Sequence, residues 1–247
     1  MKHVKKIFKW LLLIISGCFF MPDGISQVST IYVTRNSEAF SMSFIKPITQ
    51  SRQSWLNPYL DENWQPGYII FSDSIKWEGQ LRLDLYRHEM EMVVGSDSVL
   101  ITDPLRLNEV KMGESRFIYS FFIKNQLGKA YAASDYFEVL TQPGPVKLLM
   151  QRTLRVDESK ASSGNIQLGI KVEEKMSFAK VLSYYIQPEP NKQAVPLKKG
   201  KKNFLGYFPA ANQKELITFA RDQKLNYRRL DDLVLLVNFY NSKSARP

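Results

Sequence analysis

Hydrophobic and polar positions alternate over much of the chain, most clearly in residues 67–140. Leu81, Leu83 and Leu85 are separated by charged residues, and turn sequences such as Gly95-Ser96-Asp97-Ser98 interrupt the alternation at near-regular intervals. A period of two places successive side chains on opposite faces of a β-strand. The stretch therefore predicts an antiparallel meander with one buried face and one hydrated face.

The alternation continues on the C-terminal side of a break at Gln142-Pro143-Gly144-Pro145. It predicts strands over residues 146–156, 166–172 and 181–186, whereas residues 105–110 lack a clear period and are predicted to be a connector. About ten to twelve short strands at a spacing of roughly 8 to 12 residues are typical of an all-β sandwich or barrel. We therefore predict a mainly β fold, an antiparallel meander that forms a sandwich or a partly open barrel.

The hydrophobic period changes to that of a helix near the C-terminus. Asn212 and Glu215 have the spacing of a capping box, and Leu216 and Ala220 follow on one face. A second helix is predicted over residues 229–240, although the apolar run within it also allows a strand. The fold prediction therefore includes a C-terminal pair of α-helices that pack on the sheet.

The first 26 residues have the anatomy of a secretory signal peptide. Four lysines precede an apolar run over residues 10–21, and small residues precede a cleavage position after Ser26. Residues 15–18 also match a bacterial lipoprotein signal, in which Cys18 is lipidated and becomes the N-terminus. Cleavage after Ser26 is favoured because the apolar run continues past Cys18. Either route predicts an exported protein that lies in the periplasm or is associated with the outer membrane.

These patterns divide the chain into three predicted segments. They are a signal peptide over residues 1–26, an antiparallel β domain over residues 27–190, and a basic linker with the helical segment over residues 191–247. Cys18 is the only cysteine, so cleavage after residue 26 leaves no thiol for disulfides, catalysis or metal binding. No apolar run of about 20 residues follows the signal, so we predict no transmembrane helix in the mature chain.

Basic charge is concentrated in the C-terminal quarter of the chain. The formal net charge is +10, and residues 191–247 hold twelve Lys or Arg against four Asp or Glu. Six of these cations are candidates for contact with an anionic surface, either lipid headgroups or an acidic protein. They are Lys198, Lys199, Lys201, Lys202, Arg228 and Arg229. The alternative is a solvated loop. Nucleic acid is excluded as a partner because export is predicted and no aromatic residues interleave with the basic run.

Side chains suited to catalysis are scarce. Outside the predicted signal, His88 is the only histidine, and its place in a hairpin connection predicts a solvated turn residue. The sequence contains no Gly-x-Ser-x-Gly, no His-Glu-x-x-His, no paired cysteines and no glycine-rich phosphate loop. We therefore predict no catalytic residues, no metal ligands and no cofactor, and we expect that the protein is not an enzyme.

The segment before the meander combines aromatic rings with acids. Trp55, Tyr59 and Trp64 are candidates for stacking on a sugar ring. Asp61 and Glu62 lie beside them, and a glycosidase needs two carboxylates across a cleft. The competing interpretation is that the rings fix a proline-rich segment to the sheet, because tryptophan is highly buried on average.

Several short stretches resemble one known group of proteins. They are residues 67–71, residues 81–86 with Glu89-Met90-Glu91, and residues 231–232 with 239–241. Together with the export signal, they are similar to an uncharacterised exported β-rich family of Bacteroidetes-type Gram-negative bacteria. The resemblance spans most of the mature chain, implies a location in the cell envelope and brings no assigned activity.

The sequence therefore favours a non-enzymatic envelope protein that acts through contacts with another envelope protein or with the membrane surface. One alternative is a carrier that holds a lipid or another apolar ligand in a curved β-sheet. Another is a carbohydrate-active enzyme that uses acids near Trp64.

Overall fold

The computed structural model describes residues 32–35, 38–41, 45–47, 57–126, 129–157 and 177–244. The predicted signal with Cys18, the aromatic residue Trp55 and the strand predicted over residues 166–172 lie outside the described residues.

Thirteen strands and three α-helices lie within the described residues. The strands are β1 (Tyr32–Arg35), β2 (Glu38–Ser41), β3 (Ile45–Pro47), β4 (Gln65–Phe71), β5 (Lys76–Asp84), β6 (Glu89–Val94), β7 (Asp97–Ile101), β8 (Leu107–Met112), β9 (Ser115–Gln126), β10 (Lys129–Val139), β11 (Lys147–Asp157), β12 (Ser177–Gln187) and β13 (Val195–Pro196). The helices are α1 (Lys201–Leu205), α2 (Ala210–Asp222) and α3 (Leu230–Ser244).

Eleven of the strands form one sheet, in the order β13-β12-β11-β10-β9-β8-β4-β5-β6-β7-β3, and β1 pairs with β2 separately. Each of these strand pairs is antiparallel. The strands β4 to β7 follow one another as hairpins, and β8 returns to the opposite edge of β4. The predicted mainly β fold with C-terminal helices is therefore confirmed.

The alternating residues of the meander form the first core. Leu81, Leu83, Met90 and Met92 are buried on one face of β5 and β6, while Arg82 between them is partly exposed. Burying a side chain of this size stabilises the fold by about 1.5–3 kcal/mol. The hydrophobic period thus decides which face of the sheet turns inward.

The part of the sheet from β9 to β13 curls until its two ends meet. Ala194, next to β13, accepts a backbone hydrogen bond from Ile123 and donates one to Phe121, both at 2.9 Å. The rings of Phe122, Phe137 and Tyr185 fill the enclosed space and contact one another edge to face at 5.2–5.3 Å between centroids. This half of the sheet is therefore a small, partly open barrel with an aromatic interior, closed among the described residues by a single parallel bridge between Phe122 and Ala194.

The C-terminal helices cover the outer face of β11 and β12. Leu148 and Ile186 of the sheet are buried in one cluster with Leu233, Leu236 and Val237 of α3. The second predicted helix is confirmed as α3, which excludes the alternative of a strand in this region. In the described part of the chain, no helix combines the length and the apolar character needed to cross a bilayer.

Two local predictions are wrong. The stretch predicted to be a connector contains β8, whose pairing with β4 shifts register between Ile70 and Phe71. This irregularity separates the buried residues Leu107 and Val110 by three positions, which hides the period of two. The predicted capping box is also absent, because α2 begins at Ala210 and Asn212 lies inside its first turn.

Candidate functional site

The predicted cations of the C-terminal segment come together where the loop before α1 and the first residues of α1 meet the loop before α3. Lys198, Lys199, Lys201 and Lys202 surround Gly200, whose backbone N–H donates to the carbonyl oxygen of Tyr227 at 2.9 Å. Arg228 and Arg229 follow directly after Tyr227. All six cations are exposed, and they are called the basic patch below. One backbone hydrogen bond therefore joins what the sequence shows as two separate clusters.

Hydrogen bonds fix the backbone beneath the basic patch. The N–H of Lys198 donates to the hydroxyl of Tyr207 at 3.0 Å, and this hydroxyl donates to the carbonyl oxygen of Pro196 at 3.1 Å. Gly200 has a φ of 99°, a conformation that glycine adopts readily and other residues avoid. The first loop is therefore held in one conformation by its own sequence.

The second loop of the patch is held in the same way. The N–H of Asn226 donates to Asp232 Oδ2 at 2.8 Å, and Asn226 Oδ1 accepts from the N–H of Arg228 at 2.9 Å. Asp232 lies in the first turn of α3, where a carboxylate suits the positive end of the helix dipole. The loop is thereby tied to the start of the helix.

The charge of the basic patch is weakly compensated. Arg229 Nε lies 3.9 Å from Asp232 Oδ2, and the other five cations have no carboxylate oxygen within 4.0 Å among the described residues. On the sheet, by contrast, Arg82 pairs with Glu91 at 2.8 Å and Arg152 with Glu138 at 2.6 Å. Exposed cations without an ion-pair partner leave a positive potential directed to solvent.

The helix behind the patch is anchored to the sheet by a buried asparagine. Asn241 Oδ1 accepts from the N–H of Val146 at 3.1 Å, and Nδ2 donates to the carbonyl oxygen of Val146 at 2.8 Å. A Cβ atom on Gly144 would lie 2.2 Å from Asn241 Cγ, so only glycine fits beside this side chain. The predicted break at residues 142–145 is therefore the docking point of α3.

Two of the three aromatic residues predicted to contact a ligand, Tyr59 and Trp64, pack against an arginine. The guanidinium carbon of Arg82 lies 3.6 Å from the ring centroid of Tyr59 and 4.2 Å from that of Trp64. Its Nε and Nη2 donate to Glu91 Oε2 at 3.2 and 2.8 Å. The two rings therefore fix the segment before β4 to the face of β5 and β6 through cation–π contacts.

The two acids beside these rings make local contacts. Asp61 Oδ1 accepts from the N–H of Asn63 at 2.9 Å, and Oδ2 accepts from Gln65 Nε2 at 3.0 Å. Glu62 accepts from the side chain of Asn57. Both acids are exposed, and these bonds order the loop that leads into β4.

A second polar cluster was not apparent from the sequence. His88 lies in the turn between β5 and β6 with a φ of 58°, and its Nδ1 is 3.0 Å from Oδ1 and 2.9 Å from Oδ2 of Asp135 on β10. Gln151 Nε2 of β11 donates to the second oxygen of the same carboxylate. The turn position and the exposure of His88 are confirmed, since its side chain is 42% exposed, but the sequence did not reveal its bond to Asp135.

This environment changes the protonation of His88. The hydrogen bond to Asp135 raises the pKa of His88, and this effect outweighs partial burial, which lowers it. Asp135 is 4% exposed, so its carboxylate depends on protein donors. No sequence signal links these residues, because His88 and Asp135 are 47 positions apart.

An open depression lies where β4, β8 and β9 meet the start of the loop that binds α3. It has a volume of about 590 Å³, and Tyr68, Glu109, Arg116 and Asn238 are among its lining residues. Arg116 Nη2 donates to the carbonyl oxygen of Thr141 at 2.6 Å within it. The depression is open to solvent and lined by polar groups, unlike an enclosed apolar cavity.

Comparison with known proteins gives no relative from which a role is transferable: no family model, no curated protein and no solved structure matches this chain.

Proposed function

We propose that the protein is an exported, non-enzymatic envelope protein that binds a phosphate-bearing membrane surface through the basic patch. The observation that carries this proposal is the joining of six exposed cations by the hydrogen bond between Gly200 and Tyr227. Five of them lack an ion-pair partner among the described residues. Anionic headgroups supply the counter-charge that the described residues do not.

The magnitude of this attraction is sufficient for reversible binding. Each Lys or Arg close to an anionic membrane contributes about 1 kcal/mol. Replacing the four lysines by glutamine would therefore weaken binding by about 4 kcal/mol, or roughly a thousandfold. Salt would weaken binding further, because the cations are exposed and are screened over about 8 Å at physiological ionic strength.

Vesicle flotation tests the proposal. The protein is mixed with vesicles of phosphatidylcholine alone or with 30% phosphatidylglycerol, and the bound fraction is measured for wild type and for the variant Lys198→Gln/Lys199→Gln/Lys201→Gln/Lys202→Gln. A control variant removes four exposed lysines outside the patch: Lys124, Lys129, Lys192 and Lys214. We expect selective binding to the anionic vesicles that the first variant loses and the control keeps.

Equal losses in the two variants would mean that net charge, and not the patch, determines binding. Absence of binding to anionic vesicles would contradict the proposal and direct attention to an acidic protein partner.

The alternatives have less support. A lipid carrier needs space for an acyl chain, whereas Phe122, Phe137 and Tyr185 occupy the interior of the barrel. A carbohydrate-active enzyme needs an aromatic face open to a sugar, whereas Tyr59 and Trp64 contact Arg82. Both observations favour a protein that acts through its surface.

Export is tested separately by the intact mass of protein recovered from the envelope. Cleavage after Ser26 gives a chain that begins at Gln27. A diacylglycerol adduct on Cys18 would instead establish the lipoprotein route.

A further inference from the structure

The sheet has a weak joint between β10 and β11. These strands pair at only two positions, Glu138 with Met150 and Val139 with Leu149. By contrast, β9 pairs with β10 from Lys129 to Glu138, and β11 pairs with β12 along the full length of both strands. The first part of β10 and the last part of β11 therefore diverge, and backbone hydrogen bonds do not hold them together.

Side chains bridge this divergence. Gln151 of β11 donates to Asp135 of β10 just beyond the last backbone pair. His88 reaches the same carboxylate from the turn between β5 and β6 at 2.9–3.0 Å. Three segments that are distant in sequence thus meet at one carboxylate, which also accepts from the N–H of Tyr136 at 2.7 Å.

We propose that His88, Asp135 and Gln151 form a proton-sensitive latch, which holds the turn between β5 and β6 against the joint of β10 and β11 and loosens when His88 loses its proton. This property goes beyond membrane binding and does not depend on it.

The charges around His88 come from three strands. Asp135 on β10 and Asp84 at the end of β5 favour the imidazolium, and Lys124 on β9 opposes it. Asp84 is hydrogen-bonded to the backbone of the turn, since its Oδ1 accepts from the N–H groups of Tyr86 and Arg87 at 2.9 Å. Asp135 is therefore the group whose bond to His88 changes most with protonation.

The direction of the pH dependence follows from linkage. A histidine whose pKa is raised in the folded state contributes its stabilisation fully below its unfolded pKa of about 6.5. This contribution is lost as the pH rises through the folded pKa. Loss of the proton leaves a hydrogen bond from the neutral imidazole to the carboxylate, which is weaker than the imidazolium–carboxylate pair because the positive charge is gone. The joint is therefore tightest in acid and looser in base.

Hydrogen exchange measured as protection factors at pH 5.5 and pH 8.5 tests the latch. The readout is the set of backbone amides in residues 138–140 and 148–150, where β10 and β11 pair with each other. We expect protection in the wild type to fall on going to pH 8.5, by up to about tenfold for each unit that the pKa of His88 exceeds 6.5. In His88→Asn the protection factors should be independent of pH, because asparagine does not titrate. Asparagine also tolerates the left-handed φ of this position, so the turn is kept.

Two further measurements complete the test. NMR titration of the wild type gives the pKa of His88 directly. The imidazole resonance of His88 is identified as the one that is missing from the spectrum of His88→Asn. The variant Asp135→Asn should return this pKa to about 6.5 or below. A wild-type pKa of 6.5 or less, or an equal fall of protection in wild type and His88→Asn, would overturn the proposal. The wild-type titration decides the matter even if Asp135→Asn does not fold.

Discussion

Replacing Asn241 by leucine is expected to destabilise the fold strongly, although the two side chains have nearly the same shape. Asn241 is 1% exposed, and its amide satisfies both the N–H and the carbonyl oxygen of Val146, which is 2% exposed. Leucine offers neither a donor nor an acceptor. Each buried backbone group left without a partner costs about 1–3 kcal/mol, so the loss for two groups is about 2–6 kcal/mol.

A neighbouring residue provides the matched control. Asn238 lies one turn earlier on α3, and its Oδ1 accepts from the N–H of Gln142 at 2.8 Å. Gln142 is exposed, so water replaces this bond and Asn238→Leu should cost less than about 1 kcal/mol. Urea unfolding followed by circular dichroism measures both variants, with the change in midpoint at constant m-value giving the free energy.

The close approach of Asn241 to Gly144 predicts a coupling between the two positions. A Cβ on Gly144 would lie 2.2 Å from Asn241 Cγ and 2.4 Å from Asn241 Cβ, so Gly144→Ala should be costly in the wild type and less costly in Asn241→Gly, which lacks both atoms. Equal costs for Asn241→Leu and Asn238→Leu, or additive effects of Gly144→Ala and Asn241→Gly, would refute the role of Asn241 as the anchor of α3.

Two further variants test the sheet. Arg82→Met should lower the free energy of unfolding by about 3–5 kcal/mol, because it removes the cation that pairs with the fully buried carboxylate of Glu91. As a control, Arg106→Met removes the ion pair of Arg106 with Asp73, whose side chains are both 38% exposed, and should change the free energy of unfolding by less than about 1 kcal/mol. Similar urea midpoints for the two variants would mean that burial does not set the strength of these pairs. Gly67→Ala should lower the melting temperature, since its Cβ would lie 1.9 Å from the carbonyl oxygen of Lys111 on β8. An unchanged melting temperature would mean that the approach of β4 to β8 is not tight.

The strands were predictable because their signal is local. Leu81, Leu83 and Leu85 alternate without interruption, and they form the buried face of β5 and the residue after it. β8 was not predictable, because its register shift depends on the pairing with Phe71 of β4. Helix α3 was predicted from its apolar spacing, and the capping box of α2 failed because Asn212 donates its N–H to Pro209 inside the first turn.

The candidate sites were also predictable only in part, where their residues are close together in the sequence. The four lysines are contiguous in sequence, but Arg228 and Arg229 join them only through a backbone bond between Gly200 and Tyr227. Aromatic rings such as Trp64 can stack on a sugar or on a cation of the same chain. The sequence does not show that Arg82 lies beside this ring. Contacts between distant strands, such as that of His88 with Asp135, require the register of the whole sheet.

Lysine footprinting tests the central claim most directly. The wild-type protein is acetylated briefly with and without vesicles containing 30% phosphatidylglycerol, and the modification of each lysine is quantified by mass spectrometry. The basic patch predicts that vesicles protect Lys198, Lys199, Lys201 and Lys202, while the exposed Lys129 is modified equally in both conditions. Unchanged labelling of the four patch lysines in the presence of bound vesicles would contradict the claim that this face meets the membrane.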